Sequence, residues 1–434
     1  MNQLQLFLPC AAGVEDYLAA EVARITEQPL AQVHKWRAGV LLQASWRDAM
    51  LLNLHCRMAQ RVLVQLNQAQ YRNEQDLYRV ASDVAWEIWF TPRESIKVEV
   101  TAQHSPLTSL NFAALKIKDA VCDRFRAKAN GVRPDVDTQR PDIRIYVHLT
   151  TDTVSLYVDT SGEALFKRGW REDTGEAPLK ETLAAAMLAA SGWTDNPQVP
   201  LYDPCCGSGT IAIEAAQIAC NIAAGSLRRF AFEKMLPFQP HVWQAMRESA
   251  RQAQRLPAPG STPTIFGSDV AHRMVDFAQR NALRAGVADA VAFRGGDALQ
   301  RLPPCDAPAV MLVNPPYGER IATAGFAGAH AQQHDRYLDA DEAVPVARGA
   351  REQAHTENGG DFFVQLATHW KKHFAGWTIW MLTPDLKLPG TMRLKAGRRV
   401  PMWNGPIECR MFRFDMVQGS ARAAKPHRSP PDEG

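Results

Sequence analysis

The stretch LVNPPYGERI, residues 312–321, decides how this chain folds. It closes an apolar run, PAVMLV, at residues 308–313. Such a run reads as a buried strand. Proline lacks the N–H that a ladder needs, so the strand must stop at Asn314. The chain then makes a rigid turn presenting the Asn314 amide, backbone carbonyls at Pro315 and Pro316, and the ring of Tyr317.

Outward from this turn, strands alternate with helices from about residue 180 onward. LKETLAAAMLAASGW reads as a helix ending near Gly192. VPLYD, TIFGSD, AVAFRGGD, PAVMLV and WTIWMLTP read as strands, and the segments between them carry helical stripes. That order predicts a mainly parallel sheet with helices on both faces. RRVPMWNGPIECRMFRFDM predicts an antiparallel hairpin about Asn404-Gly405 at its end.

LYDPCCGSGTIAIEAA, residues 201–216, places Asp203 at a strand end and Gly207 and Gly209 before a helix. Glycines let the backbone turn sharply and approach a ligand. The helix N-terminus then offers free N–H groups to an anion. This is neither the dinucleotide G-x-G-x-x-G pattern nor a P-loop, because position 212 is Ala and no G-K-[ST] follows. Two further strands end in acids, Asp269 and Asp297. An acid at the next strand end suits ribose hydroxyls. Any one of these acids would equally serve as a helix N-cap. Asp269 lies far beyond the roughly 20 residues a compact dinucleotide fold would use. Residues 220–263 are therefore an insertion, in which Arg228, Arg229 and Trp243 either touch substrate or lie on a solvated helix pair.

Asp-x-x-x-Gly-x-Gly followed by Asn-Pro-Pro-Tyr resembles the class I S-adenosylmethionine-dependent methyltransferases that modify exocyclic amino groups. The chemistry fits these residues. An exocyclic nitrogen has a delocalised lone pair and is a poor nucleophile. Donating its two N–H groups to the Asn314 side-chain oxygen and the Pro315 carbonyl would localise that pair and aim it at the sulfonium methyl. Tyr317 would stack on a base taken out of its helix. The resemblance implies that Cys205, Gly207, Ser208, Gly209 and Thr210 form the cofactor turn with Asp203. It further implies that Asp269 holds the ribose and Asp297 the adenine. In PLKET, Thr182 with Lys180 and Glu181 would close over the cofactor; equally, Glu181 would simply favour a helix N-terminus. Cys205 and Cys206 read as packing residues, since amino methylation needs no thiol nucleophile.

Residues 1–160 read as a smaller α+β unit of mixed strand order. LQLFLPC and AGVLLQAS are strands around an amphipathic helix, and residues 46–66 are a helix running into a strand. DLYRVASDVAWEIWF reads as a helix, SIKVEVTAQ as a strand and NFAALKIKDAVCDRFRAK as a basic helix, followed by two strands joined at Thr-Asp-Thr. Together NEQDLYRVASDVAWEIWF, NFAALKIKDAVCDRFR, RPDIRIYVHLTTDTVSLYVDTSG, KRGWREDTGEAPLKETLAAAMLAASGW and the glycine turn resemble the RlmL-type 23S rRNA methyltransferases. That resemblance implies a ferredoxin-like segment over residues 1–60, a THUMP RNA-binding domain over 61–160, a linker over 161–179 and a Rossmann-like methyltransferase domain over 180–418. It implies methylation of a guanine 2-amino group in 23S rRNA. Some members carry a second methyltransferase half; the residues here match only the first. Methylation of tRNA, methylation of adenine in DNA, and an idle RNA-binding assembly factor are the rival readings.

Net charge is only +3, so the RNA reading rests on local cations. Lys116, Lys118, Arg124, Arg126, Lys128, Arg133, Arg140, Arg144, Lys167, Arg168 and Arg171 form the expected basic surface, and MRLKAGRRV a second patch. Eight cysteines without C-x-x-C or zinc spacing read as reduced thiols in a cytoplasmic protein, with no metal expected. The start reads as no signal peptide, and no run of about 18 apolar residues predicts a membrane span. Residues 323–360 read as an irregular loop and 419–434 as a disordered tail. The oligomeric state is not legible.

Overall fold

The computed structural model describes residues 3–175, 178–258, 260–315 and 359–417. Tyr317, nearly all of the expected loop 323–360 and the whole expected tail lie outside the described residues.

Two seven-stranded sheets organise the described residues. The first holds β1 (Leu4–Pro9), β2 (His34–Trp36), β3 (Gly39–Ala44), β4 (Leu63–Gln70), β5 (Ile96–Ala102), β6 (Ile143–Leu149) and β7 (Thr153–Asp159). Its order is β2-β3-β1-β4-β7-β6-β5, so one sheet runs through both expected N-terminal modules. Only β5 and β6 pair in parallel. Helices α1 (Glu15–Thr26), α2 (Trp46–His55), α3 (Glu74–Ser82) and α4 (Leu110–Lys128) accompany it. Ser45 and Asp48 close α2 with a reciprocal capping box, and Asn73 caps α3. The expected helix over residues 76–90 stops at Ser82, because Trp86 turns back to donate its indole N–H to the Ala81 carbonyl and fills the core.

The second sheet holds β8 (Leu201–Asp203), β9 (Ile265–Asp269), β10 (Val291–Gly295), β11 (Val310–Val313), β12 (Thr378–Thr383), β13 (Arg398–Asn404) and β14 (Ile407–Asp415). Its helices are α5 (Glu181–Ser191), α6 (Thr210–Ala219), α7 (Pro240–Gln252), α8 (His272–Arg284), α9 (Gly359–His373) and α10 (Leu388–Thr391). The order is β10-β9-β8-β11-β12-β14-β13, parallel as far as β12 and antiparallel at the β13–β14 hairpin. The α/β class, the parallel sheet and the closing hairpin are as the sequence predicts. β11 and β12 are apolar on both faces, as a sheet covered by helices on both sides requires. The strand order reverses between β8 and β11, the place where open α/β sheets bind ligands.

Three expectations are corrected. Among its described residues the connector after β7 has no helix or strand, yet it is packed: Trp170 and Arg168 are fully buried. Arg168 therefore belongs to the interior, and Arg171 is half-buried against Glu181, so neither forms a free basic surface. The Arg168 Nη2 contacts Glu214 on α6 at 3.0 Å, and Arg57 reaches the same carboxylate at 2.8 Å from the chain between α2 and β4. Arg144 is buried as well, donating to the Gly162 carbonyl. The insertion before β9 is no solvated helix pair: Trp243 packs edge-on against Phe230 and Phe232, and Arg228 donates to the carbonyls of Ser161, Glu163, Ala164 and Lys167.

Candidate active site

The site forms at the C-terminal edge of β8, β9, β10 and β11. Met311 on β11 is level with Tyr202 on β8, and Asp203 with Gly267 on β9. Asp203, Asp269 and Asn314 thus leave neighbouring strands at one edge.

The glycine turn is held from several sides. The Cys206 amide donates to the Ser268 carbonyl, and the Gly209 amide to the Cys206 carbonyl. The Gly207 amide donates to Asp269 Oδ2 at 2.9 Å. Gly209 has φ +91°, and a Cβ there would sit 3.0 Å from Ala278, Ile213 and Phe293. Gly207, at φ +53°, instead faces open space, with nothing within 4 Å of an added Cβ. One glycine is needed for packing, and the other leaves room above the turn.

The three strand-end acids share a habit. Asp203 accepts from the Cys205 amide, Asp269 from the Ala271 amide and Asp297 from the Leu299 amide. None caps a helix: the N-cap of α6 is Gly209 and that of α8 is Ala271. Burial, with Asp269 beside it, raises the Asp203 carboxyl to about 8. Burial also raises Asp269, against the pull of its two amide donors. Cys206 is buried, and burial pushes its thiol well up, in keeping with a packing role.

Asn314 follows β11, with Pro315 buried behind it. The Asn314 side-chain oxygen is buried and has no hydrogen-bond partner among the described residues. A buried acceptor left unpaired costs about 1–3 kcal/mol, so this oxygen is open to a donor. Thr182 is buried in the first turn of α5, but it is its neighbour Glu181 that is tied to the glycine turn. That tie runs through Arg171, whose Nε meets Glu181 at 2.8 Å and whose Nη2 meets Thr210 Oγ1 at 2.7 Å. Sequence reading misses Arg171 as a site residue. Its partners lie up to 39 residues away, and only the charged run KRGWRED marks it.

Among the described residues no group of His, Cys, Asp and Glu could hold a metal, and no helix is long and apolar enough to cross a membrane.

Three family models match in succession. They are the RlmL ferredoxin-like domain over residues 5–63, the THUMP domain over 71–159 and the RMKL-like methyltransferase domain over 168–332. The ribosomal RNA large subunit methyltransferase K/L of Psychromonas ingrahamii is 35% identical over 94% of this chain and 49% of its own length. The protein of the same name from Shewanella amazonensis is 34% identical over 96% of this chain and 54% of its own. The chain thus spans about half the length of the curated relatives it matches. In fold it is similar to SMU.472, a methyltransferase structure complexed with S-adenosylhomocysteine, with TM-score 0.77 and 24% identity over 97% of this chain and 100% of that one.

The sheet order is that of the Rossmann-like class I methyltransferase fold, here behind a THUMP-bearing module. The chain carries these three domains in this order, and it is similar in sequence to the ribosomal RNA large subunit methyltransferases K/L.

Proposed function

We propose that this chain transfers a methyl group from S-adenosylmethionine to the exocyclic 2-amino group of a guanine in 23S rRNA, in the cytoplasm. The observation that carries the reading is the buried, unpartnered Asn314 oxygen at the end of β11. The guanine amino group donates one N–H to that oxygen and the other to the Pro315 carbonyl, which localises its lone pair for attack on the methyl. Tyr317 stacks on the flipped base. No strong base is needed, because the nitrogen becomes acidic only after it has been methylated.

The cofactor, where bound, supplies the electrophilic methyl. The turn Cys205–Thr210 and the N-terminus of α6 take its carboxylate, Asp203 faces its ammonium, Asp269 its ribose and Asp297 its adenine. The open space over Gly207 fits such a group, and so does the α6 N-terminus with its free amides.

RNA as substrate is supported by cations that stay on the surface once the buried arginines are set aside. Arg126, Lys128, Arg133 and Arg140 are exposed beside the first sheet. Lys387, Arg393, Lys395, Arg398 and Arg399 are exposed after β12. Large-subunit RNA is favoured over tRNA and DNA by the names of the relatives. Nucleoside analysis of 23S rRNA, tRNA and DNA from cells lacking the protein tests this. The expected result is loss of N2-methylguanosine from 23S rRNA alone. Loss from tRNA, or of methyladenine from DNA, would overturn the substrate.

A further inference from the structure

We infer that Arg171 is a positioning residue for the cofactor's carboxylate, acting through the hydroxyls of Ser208 and Thr210; this rests on the proposed placement of the cofactor at the glycine turn.

Arg171 leaves the connector and passes behind the glycine turn. Its Nη1 donates to Ser208 Oγ at 3.2 Å, and its Nη2 to Thr210 Oγ1 at 2.7 Å and to the Leu179 carbonyl at 3.2 Å. Its Nε donates to Glu181 Oε1 at 2.8 Å, and the guanidinium lies over the Trp170 ring. Glu181, Ser208 and Thr210 are all buried. A guanidinium can only donate, so both hydroxyls must accept from it. A hydroxyl that accepts there turns its own hydrogen away. Among the described residues neither hydroxyl donates to anything. Two hydrogens are therefore left for an acceptor at the turn where Gly207 faces open space and α6 begins.

An acceptor so placed is best an anion. The α6 N-terminus favours negative charge, and hydroxyls that a cation polarises donate more strongly. Glu181 neutralises Arg171 on its far side, so the turn gains directed donors without a bare buried cation. A carboxylate fits this arrangement. The adenosine half of the cofactor does not use it.

The test is isothermal titration of the full chain with S-adenosylhomocysteine and with its decarboxylated analogue, which keeps the adenosine, the thioether and the amine. Arg171→Met is expected to weaken S-adenosylhomocysteine by about tenfold or more, the usual scale of a lost charge-assisted contact. The decarboxylated analogue should keep its affinity within about twofold, below the scale of one hydrogen bond. Arg171→Lys should restore part of the loss. Thr210→Val keeps the Arg171–Glu181 pair, and it should show the same selective loss even if Arg171→Met does not fold. Equal weakening of both ligands, or no weakening by Thr210→Val, would overturn the assignment while leaving the cofactor reading intact. A wild-type chain that binds neither ligand would overturn both.

Discussion

The Gly207 amide donates to Asp269 Oδ2 although 62 residues separate them, and Asp269 Oδ1 accepts from the Ala271 amide. One carboxylate thereby fixes the turn after β8 and the turn after β9. Asn at this position would set an NH2 group against one of the two amides. Asp269→Asn is expected to cost about 1–3 kcal/mol in chemical denaturation, the penalty for an unpaired buried donor. It should also weaken S-adenosylhomocysteine binding. Unchanged stability would mean that the carboxylate does not hold the turns.

The two glycines of the turn should separate stability from binding. Gly209→Ala costs about 1–3 kcal/mol from overpacking against Ala278, Ile213 and Phe293. Its left-handed backbone adds roughly 1–2 kcal/mol. Gly207→Ala meets no neighbour and should cost only that backbone contribution, but its methyl enters the space assigned to the cofactor. Thermal melts with and without S-adenosylhomocysteine check this: the larger fall in Tm belongs to Gly209→Ala, the larger loss of ligand-induced shift to Gly207→Ala.

Asp203 makes stability fall with rising pH. Its carboxyl is raised from 3.8 to about 8 in the folded chain, chiefly by burial and also by Asp269. Between those values the folded state binds more protons than the unfolded state, so stability drops as pH climbs through that window. Asp203→Asn keeps the acceptor for the Cys205 amide and removes the titration. Its stability relative to wild type should rise steadily from pH 5 to pH 8.5 in denaturant titrations. A constant difference would contradict the assignment. An ammonium placed beside Asp203 would draw off this proton, so cofactor binding near neutral pH should release protons, measurable by calorimetry in buffers of different ionisation enthalpy.

Glu214 ties the two halves of the chain together. Burial pushes its carboxyl up, but the Arg168 and Arg57 guanidiniums more than offset this and hold it below the ordinary value. The stability it contributes is present above the ordinary carboxylate range and is lost as pH falls through the depressed value. Glu214→Gln leaves the buried Arg168 and the partly buried Arg57 guanidiniums short of their anion and should cost about 3–5 kcal/mol at neutral pH, read from denaturant melts. A cost below about 1 kcal/mol, the scale of an exposed pair, would show that this junction is solvated.

Local pattern carries most of the fold. Alternating strands, helical stripes, the Gly192 stop and the Asn404-Gly405 hairpin are all legible in residue order. Partnerships between distant residues are not. Arg168 and Arg171 read as surface cations, because nothing in their spacing reveals Glu214 or Glu181 as buried partners. β2 escapes a sequence reading because its three residues, His34, Lys35 and Trp36, are all exposed and carry no apolar alternation. At the site, glycines, strand-end acids and Asn-Pro-Pro are readable, since each residue type carries its own backbone or hydrogen-bonding constraint. The strut behind the turn is not, since an arginine carries no such signature.

In the proposed reaction, methyl transfer turns on the Asn314 oxygen orienting an amino group. The decisive measurement is single-turnover transfer of labelled methyl from saturating S-adenosylmethionine to protein-free 23S rRNA, by the wild-type chain and by Asn314→Ala. The expected outcome is label in N2-methylguanosine, a rate about 10²–10³-fold lower in the variant, as for the loss of one oriented catalytic hydrogen bond, and cofactor affinity unchanged within a few-fold. Equal rates in the two proteins, with the same nucleoside labelled, would remove Asn314 from the chemistry.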